Sequence, residues 1–279
     1  MLGTILSVIL VPMRFYKLPA VILVISILAM PNAAQAKEAQ ASVIMPEITA
    51  HLQQERLALA QANPTEFLQV SLKNYQNYVQ DYTCLFVKQE FVKGKLSKEQ
   101  QIEVKFREEP FSVFMKWVQN PGLVDHVLYV KERNDDKALI KPAGWLGYLV
   151  PTHVTRPVND PDSAKVSRRR LDQFGFANAL QLILGVNATA TEAGELKFEF
   201  KRESNLNGRK TFVFERTLPD KAQYPDNRLV LYVDQEWLLP VGTYAYDAKG
   251  KLLGKYEYRD VKLNVGLSRN DFTAQANDL

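Results

Sequence analysis

Ile102-Glu103-Val104-Lys105-Phe106-Arg107 alternates apolar and charged side chains without interruption. A period of two places Ile102, Val104 and Phe106 on one face of a strand and the charges on the other. One face is buried and the other wet, the mark of an antiparallel sheet. Upstream, Tyr82, Cys84 and Phe86 alternate with Thr83, Leu85 and Val87; both sets are largely apolar, so this strand is expected to be covered on both sides. Lys93-Gly94-Lys95 marks the turn between the two. Downstream, Phe111 to Val118, Val124 to Lys131 and Ala138 to Lys141 continue the strands, separated by Asn120-Pro121-Gly122 and Asn134-Asp135-Asp136.

A second run of strands follows later in the chain. Leu196, Phe198 and Phe200 alternate with Lys197, Glu199 and Lys201, Asn207-Gly208 forms a hairpin turn, and Thr211 to Arg216 returns with Phe212 and Phe214 on one face. Leu229 to Asp234, Pro240 to Asp247 and Leu252 to Val261 complete about ten strands with short, antiparallel connections. So wide a sheet is expected to curl.

Helices are few. Pro46 to Gln61 is rich in Ala, Leu, Gln and Glu and stops at Asn63-Pro64, where Pro64 opens a second helix with Leu68, Leu72, Tyr75 and Val79 on one stripe. Between the two strand runs, residues 144 to 162 carry three prolines, two glycines, Trp145 and Tyr148 and no regular period. Arg170 to Leu184 then reads as a helix apolar on most sides, with Phe174 among its rings, and such a helix must be buried on most sides. The expected fold class is mainly β (α+β): a curled antiparallel half-barrel with two N-terminal helices and one inserted helix. The expected organisation is a signal peptide over 1–36, a helical segment over 37–80, and one β domain over 81–279 with a loop and helix inserted at 144–186.

The leader assignment rests on Arg14 and Lys17, the apolar run Leu18 to Met30, and the small-residue exit Ala34-Gln35-Ala36. Thirteen apolar residues fall short of the ~20 that a spanning helix needs, so cleavage after Ala36 and a periplasmic location are expected, without a permanent membrane span. The charges at Arg14 and Lys17 make Met13 an alternative start to Met1. A 279-residue chain less 36 keeps 243, and losing Arg14 and Lys17 lowers the net charge from +4 to +2. That balance gives no reason to expect a nucleic-acid partner. The one cysteine, Cys84, cannot form an internal disulfide, so the core alone must hold the fold.

No H-E-x-x-H, G-x-S-x-G or phosphate-binding glycine loop occurs, and His51, His126 and His153 lack metal-ligand spacing. Cys84 with His126 or His153 is conceivable as a nucleophile and base, but its apolar strand setting suits a buried thiol better. No catalytic residue, metal or cofactor is therefore assigned. Arg168-Arg169-Arg170 precedes the inserted helix at the end where the helix dipole disfavours cations, which points to an anionic head group; neutralisation by Asp162 and Asp172 is the plainer alternative.

Tyr232 to Pro240, Tyr246 to Leu252, Tyr256 to Val261 and Asp271-Phe272 resemble the closing half of the bacterial lipoprotein-carrier superfamily. That superfamily includes the periplasmic carrier of lipoprotein sorting, its outer-membrane receptor and lipoprotein-sensing stress regulators. More narrowly, Tyr82 to Glu90 with Val104 to Val113 resembles an exported family known as a domain of unknown function. The resemblance implies a half-barrel with an apolar cavity for acyl chains, but it transfers no binding residue and provides no counterpart for 144 to 162. Expected wall or lid residues are Trp145, Tyr148, Phe174, Phe198, Phe200, Phe212 and Phe214, with Arg168, Arg169 and Arg170 for a head group. The function so implied is non-catalytic binding of a lipid, an acyl chain or a lipidated protein. The alternatives are an envelope interaction or stress-sensing module with a protein partner, and an enzyme acting on envelope material. A core filled by its own side chains, with no cavity, also remains open at this point.

Overall fold

A computed structural model describes residues 49–145, 152–161 and 167–279. The expected leader and Tyr148 lie outside the described residues, as does part of the 144 to 162 stretch. Among the described residues two helices come first, α1 (Ala50–Ala62) and α2 (Pro64–Tyr78). Asn63 ends one and caps the other: its side-chain oxygen accepts from the Glu66 N–H at 3.1 Å, and its amide donates to the Glu66 carboxylate at 3.0 Å. Phe67, Leu68, Ser71 and Tyr75 form the buried face of α2, and Val79, just past its end, is buried with them.

Among the described residues the sheet has twelve strands and does not close. In chain order they are β1 (Asp81–Val92), β2 (Lys95–Leu96), β3 (Gln100–Arg107), β4 (Ser112–Gln119), β5 (Val124–Val130), β6 (Lys137–Pro142), β7 (Val154–Pro157), β8 (Lys197–Leu206), β9 (Arg209–Thr217), β10 (Arg228–Asp234), β11 (Pro240–Tyr246) and β12 (Leu252–Leu263). The order across the sheet is β7-β6-β5-β4-β3-β1-β12-β11-β10-β9-β8, with β2 folded back on β1, and every pairing is antiparallel. The turn residues Asn207 (φ 52°) and Gly208 (φ 85°) both adopt positive φ, the geometry that matches the twist of a tight hairpin.

Ten strands were expected; the additional two are β2, two residues long, and β7. The latter lies inside the stretch expected to lack regular structure, and Pro157 ends it, which an edge strand tolerates because it needs no donor on its open side. The inserted helix also differs from expectation. It is α3 (Phe176–Glu192), preceded by a short 3-10 turn at Leu171–Gln173. Gly175 separates the two with φ 111° and ψ 163°, a conformation essentially reserved for glycine. At the far end the helix runs through Gly185, because Asn187 and Ala190 continue the buried stripe Phe176, Leu180, Ile183 at helical spacing.

The concave side of the sheet is covered in two unequal ways. Over β8 to β10, α2 and α3 pack tightly: Phe67 meets Phe212 and Phe214 at ring-centroid distances of 5.6 and 5.1 Å, and Phe198 and Phe200 close the cluster from β8. Over β1 and β3 to β6, the cover is thinner, with Phe174 and Phe176 packed on Phe86, Tyr82 and Tyr258. On the convex side, Phe272 and the chain end cover Phe114, Leu128, Val130 and Leu139. Elsewhere on β12, Glu257 ties neighbouring strands together: its carboxylate accepts from Tyr244 (2.6 Å), Asn207 (3.0 Å) and Arg259 (2.5 Å) and pairs with Lys255 (3.1 Å).

Two outcomes follow for stability. Gly175→Ala should cost about 1–3 kcal/mol, because the residue would be strained and its new methyl would lie 3.1 Å from the Phe106 ring. Gly185→Ala, mid-helix with open space around it, should gain about 0.4–1 kcal/mol; guanidinium unfolding of both variants checks the pair. Burial alone would raise the Glu257 pKa, but hydrogen bonds from Tyr244, Arg259, Asn207 and Lys255 outweigh it and hold the group at about 2 against an ordinary 4.5. Its stabilisation is thus fully present above 4.5 and is lost as the pH falls through about 2. The stability gap between wild type and Glu257→Gln should therefore shrink in urea titrations as the medium is acidified from about pH 5 toward 2.

Candidate functional site

Where the cover is thin, a cavity of about 890 Å³ remains. Its sheet wall is set by alternation: Phe86 on β1, Ile102 on β3, Met115 and Trp117 on β4, Val127 on β5, Ala138 and Ile140 on β6. Opposite lies α3. Most of its buried stripe goes to the core, and Ile183 together with the apolar residues beside that stripe, Ala179, Leu182 and Val186, faces the cavity. The apolar excess noted along this helix therefore serves two surfaces, and the alternative of a filled core does not hold for this half of the sheet.

A second group of cavity residues is polar. On β1, Lys88 and Glu90 occupy the same face as Phe86. Glu90 is buried and accepts from Lys88 (3.0 Å), Tyr256 (2.8 Å), the Ser167 hydroxyl (3.1 Å) and the Arg168 N–H (3.1 Å). Burial would raise its pKa, but the Lys88 charge and the hydrogen bonds outweigh this and hold it below the usual value. On β9, Arg216 is 2% exposed; it donates to both oxygens of Asp226 at 3.0 Å and to Asn187 on α3 at 3.1 Å. Such a buried pair is costly to assemble, and losing either partner would strand a charge.

The arginine run divides three ways. Arg168 donates to the Pro225 carbonyl at 3.0 Å, Arg170 lines the cavity but pairs with Asp172 at 2.6 Å, and Arg169 lines it without such a pair. Burial pushes the Arg169 guanidinium down from its ordinary value, partly offset by Tyr256, Asp226 and Glu90. The helix-dipole argument does not apply to this run, because α3 starts only at Phe176.

Of the expected wall and lid residues, Phe174 lines the cavity. Phe198, Phe200, Phe212 and Phe214 do not: they belong to the cluster that α2 fills, since a helix already occupies that half of the sheet. Trp145 is 70% exposed and is not part of the lining. Lys88, Glu90, Trp117, Arg216, Asp226 and Tyr256 were not anticipated. For Lys88, Glu90, Arg216 and Tyr256 the signal was available, as charged or polar residues in the inward register of strands whose neighbours are core rings.

Cys84 is 6% exposed in the core, and burial pushes its thiol up, away from the reactive thiolate. His51 is exposed beside Glu55, His126 is held by Asp125 at 2.8 Å, and His153 has a buried, unpartnered Nδ1. Among the described residues no group of three His, Cys, Asp or Glu side chains could hold a metal ion, and no helix is long and apolar enough to cross a membrane.

No curated protein matches the sequence. Among solved structures the chain is similar to the Mycobacterium tuberculosis lipoprotein LppX (11% identity, 74% of this chain and 99% of that one, TM-score 0.43). It is also similar to a putative outer membrane lipoprotein-sorting protein domain from Vibrio parahaemolyticus (14% identity, 76% and 100%, TM-score 0.36). In the Pseudomonas aeruginosa MucA/MucB complex it matches 63% of a chain with 78% of its own (16% identity, TM-score 0.44). The narrow resemblance is carried by the sequence itself: over residues 79–279 the chain matches the model of DUF1571, described as a protein of unknown function, and it belongs to that family.

Proposed function

We propose that this chain is an exported, periplasmic, non-catalytic binding protein that holds a lipid, an acyl chain or the acyl group of a lipidated protein. The single observation that carries the proposal is the cavity of about 890 Å³ between the sheet wall and α3. Ligand pockets fall at roughly 300–1,000 Å³ and combine a mostly apolar lining with a few placed polar groups. Here the apolar wall of Phe86, Ile102, Met115, Trp117 and Ile140 suits a hydrocarbon tail, and the Lys88, Glu90, Arg169 and Arg216 group suits its head. The leader-like N-terminus and the carrier-superfamily resemblance agree with that assignment.

A second reading, an interaction module, draws on exposed apolar side chains. Leu123, at the turn before β5, lines the cavity and is 64% exposed, and Trp145 is more exposed still. Such groups suit docking to a donor or acceptor of cargo as well as to a protein partner.

Native mass spectrometry of gently purified protein should show a co-purifying lipid or acyl species, and a ligand-free mass after mild purification would count against the proposal. Ala179→Trp should place an indole in the cavity and reduce that occupancy severalfold with the melting transition retained. Undiminished occupancy in this variant would locate the ligand elsewhere.

A further inference from the structure

The polar residues around the cavity are not balanced donor for acceptor. Lys88 is matched by Glu90, Arg216 by Asp226 and Arg170 by Asp172. Arg168 is held by the Pro225 carbonyl. Arg169, between Arg168 and Arg170 in the chain, lines the cavity, and among the described residues its guanidinium has neither hydrogen-bond nor ion-pair partner. The backbone nonetheless fixes its position: the Arg168 N–H is bonded to Glu90, and the Arg169 N–H to the Ser167 hydroxyl at 3.4 Å.

The unmet polar atoms agree in kind. Two lining residues carry a buried side-chain nitrogen without a partner, Trp117 through Nε1 and Arg216 through Nε, and both are N–H donors. Among the described residues, no lining residue carries a buried, unpartnered side-chain oxygen. An occupant that brought only hydrocarbon would leave these donors unanswered, and a cationic head would meet Arg169 as a like charge.

We propose that the occupant is an anionic amphiphile, with its tail along the Ile102, Met115 and Ile140 wall and its carboxylate or phosphate received by the guanidinium of Arg169. A planar guanidinium presents paired donors that match either oxyanion in a two-point contact, which an ammonium cannot reproduce. This inference rests on the binding reading above and adds the charge class of the ligand and the residue that selects it.

The test compares three probes sharing one tail, oleate, oleyl phosphate and oleyl alcohol, on delipidated full chain by isothermal titration. At least one of the two anions should bind about tenfold or more tightly than the alcohol, with the stronger of them identifying the head group as carboxylate or phosphate. Arg169→Gln should erase that margin while leaving oleyl alcohol binding within about twofold, and Arg169→Lys should keep part of it. Retained alcohol binding also shows that the variants are folded. Equal binding of all three probes by the wild type would overturn the anionic-ligand proposal, and a margin that survives Arg169→Gln would overturn the role given to Arg169; either leaves the cavity reading standing. Failure of every probe to bind the wild type would overturn both.

Discussion

Two antiparallel runs, β3 to β7 and β8 to β11, are joined into one sheet only through the ladder between β1 and β12, from Tyr82 opposite Leu263 to Glu90 opposite Gly254. Among the described strands β1 is also the first in the chain and β12 the last, so the ladder closes the sequence between them into a single loop. An irregularity between Thr83 and Leu85 interrupts the register, and such an extra residue adds twist where the sheet must curl. The inward faces of these two strands hold Tyr82, Phe86, Glu90, Tyr256 and Tyr258. The same ladder that unites the fold therefore supplies the floor of the cavity and the carboxylate that anchors the arginine run.

The two halves of the concave face received different cover, and the difference has a physical origin. α2 brings Phe67 and Leu68 into one cluster with Phe212, Phe214 and Leu231, so rings fill most of that half, and its margin at Arg216 and Leu229 reaches the cavity. Over β1 and β3 to β6 the described residues supply the 3-10 turn, Phe174 and one side of α3. Gly175 joins the 3-10 turn to α3 at this point; a residue with a side chain would be strained there and would press on Phe106. The hollow is what remains when a short connection is asked to cover five strands.

Much of the architecture was legible in the chain. Alternation at Ile102 to Arg107, the Asn63-Pro64 helix junction and the Asn207-Gly208 turn are local signals, and each corresponds to an element where it was read. β7 was not, because four residues ending in proline carry too little pattern to distinguish an edge strand from a loop. The end of α3 was not, because Gly185 looks like a stop, and the burial of Asn187 and Ala190 beyond it, with Asn187 bonded to Arg216, is a long-range outcome. The site was less legible than the fold. Aromatic residues on alternating positions of β8 and β9 look like cavity walls, yet which half of a sheet a helix occupies is a non-local outcome. Charges in inward register, Lys88 and Glu90 after Phe86 and Arg216 after Phe214, were the better guide: a strand places a charge among core rings only where something answers it.

An open sheet leaves two unpaired margins, and here both are blunted. At one end β7 is four residues long and finishes at Pro157, which offers no donor to an incoming strand. At the other, β8 is longer but studded with Lys197, Glu199, Lys201, Arg202 and Glu203, so a second copy laid alongside would face a fence of ions. The molecule can thus keep a hollow interior and an incomplete barrel while discouraging strand-by-strand stacking into fibres, which a bare rim of the same length would invite.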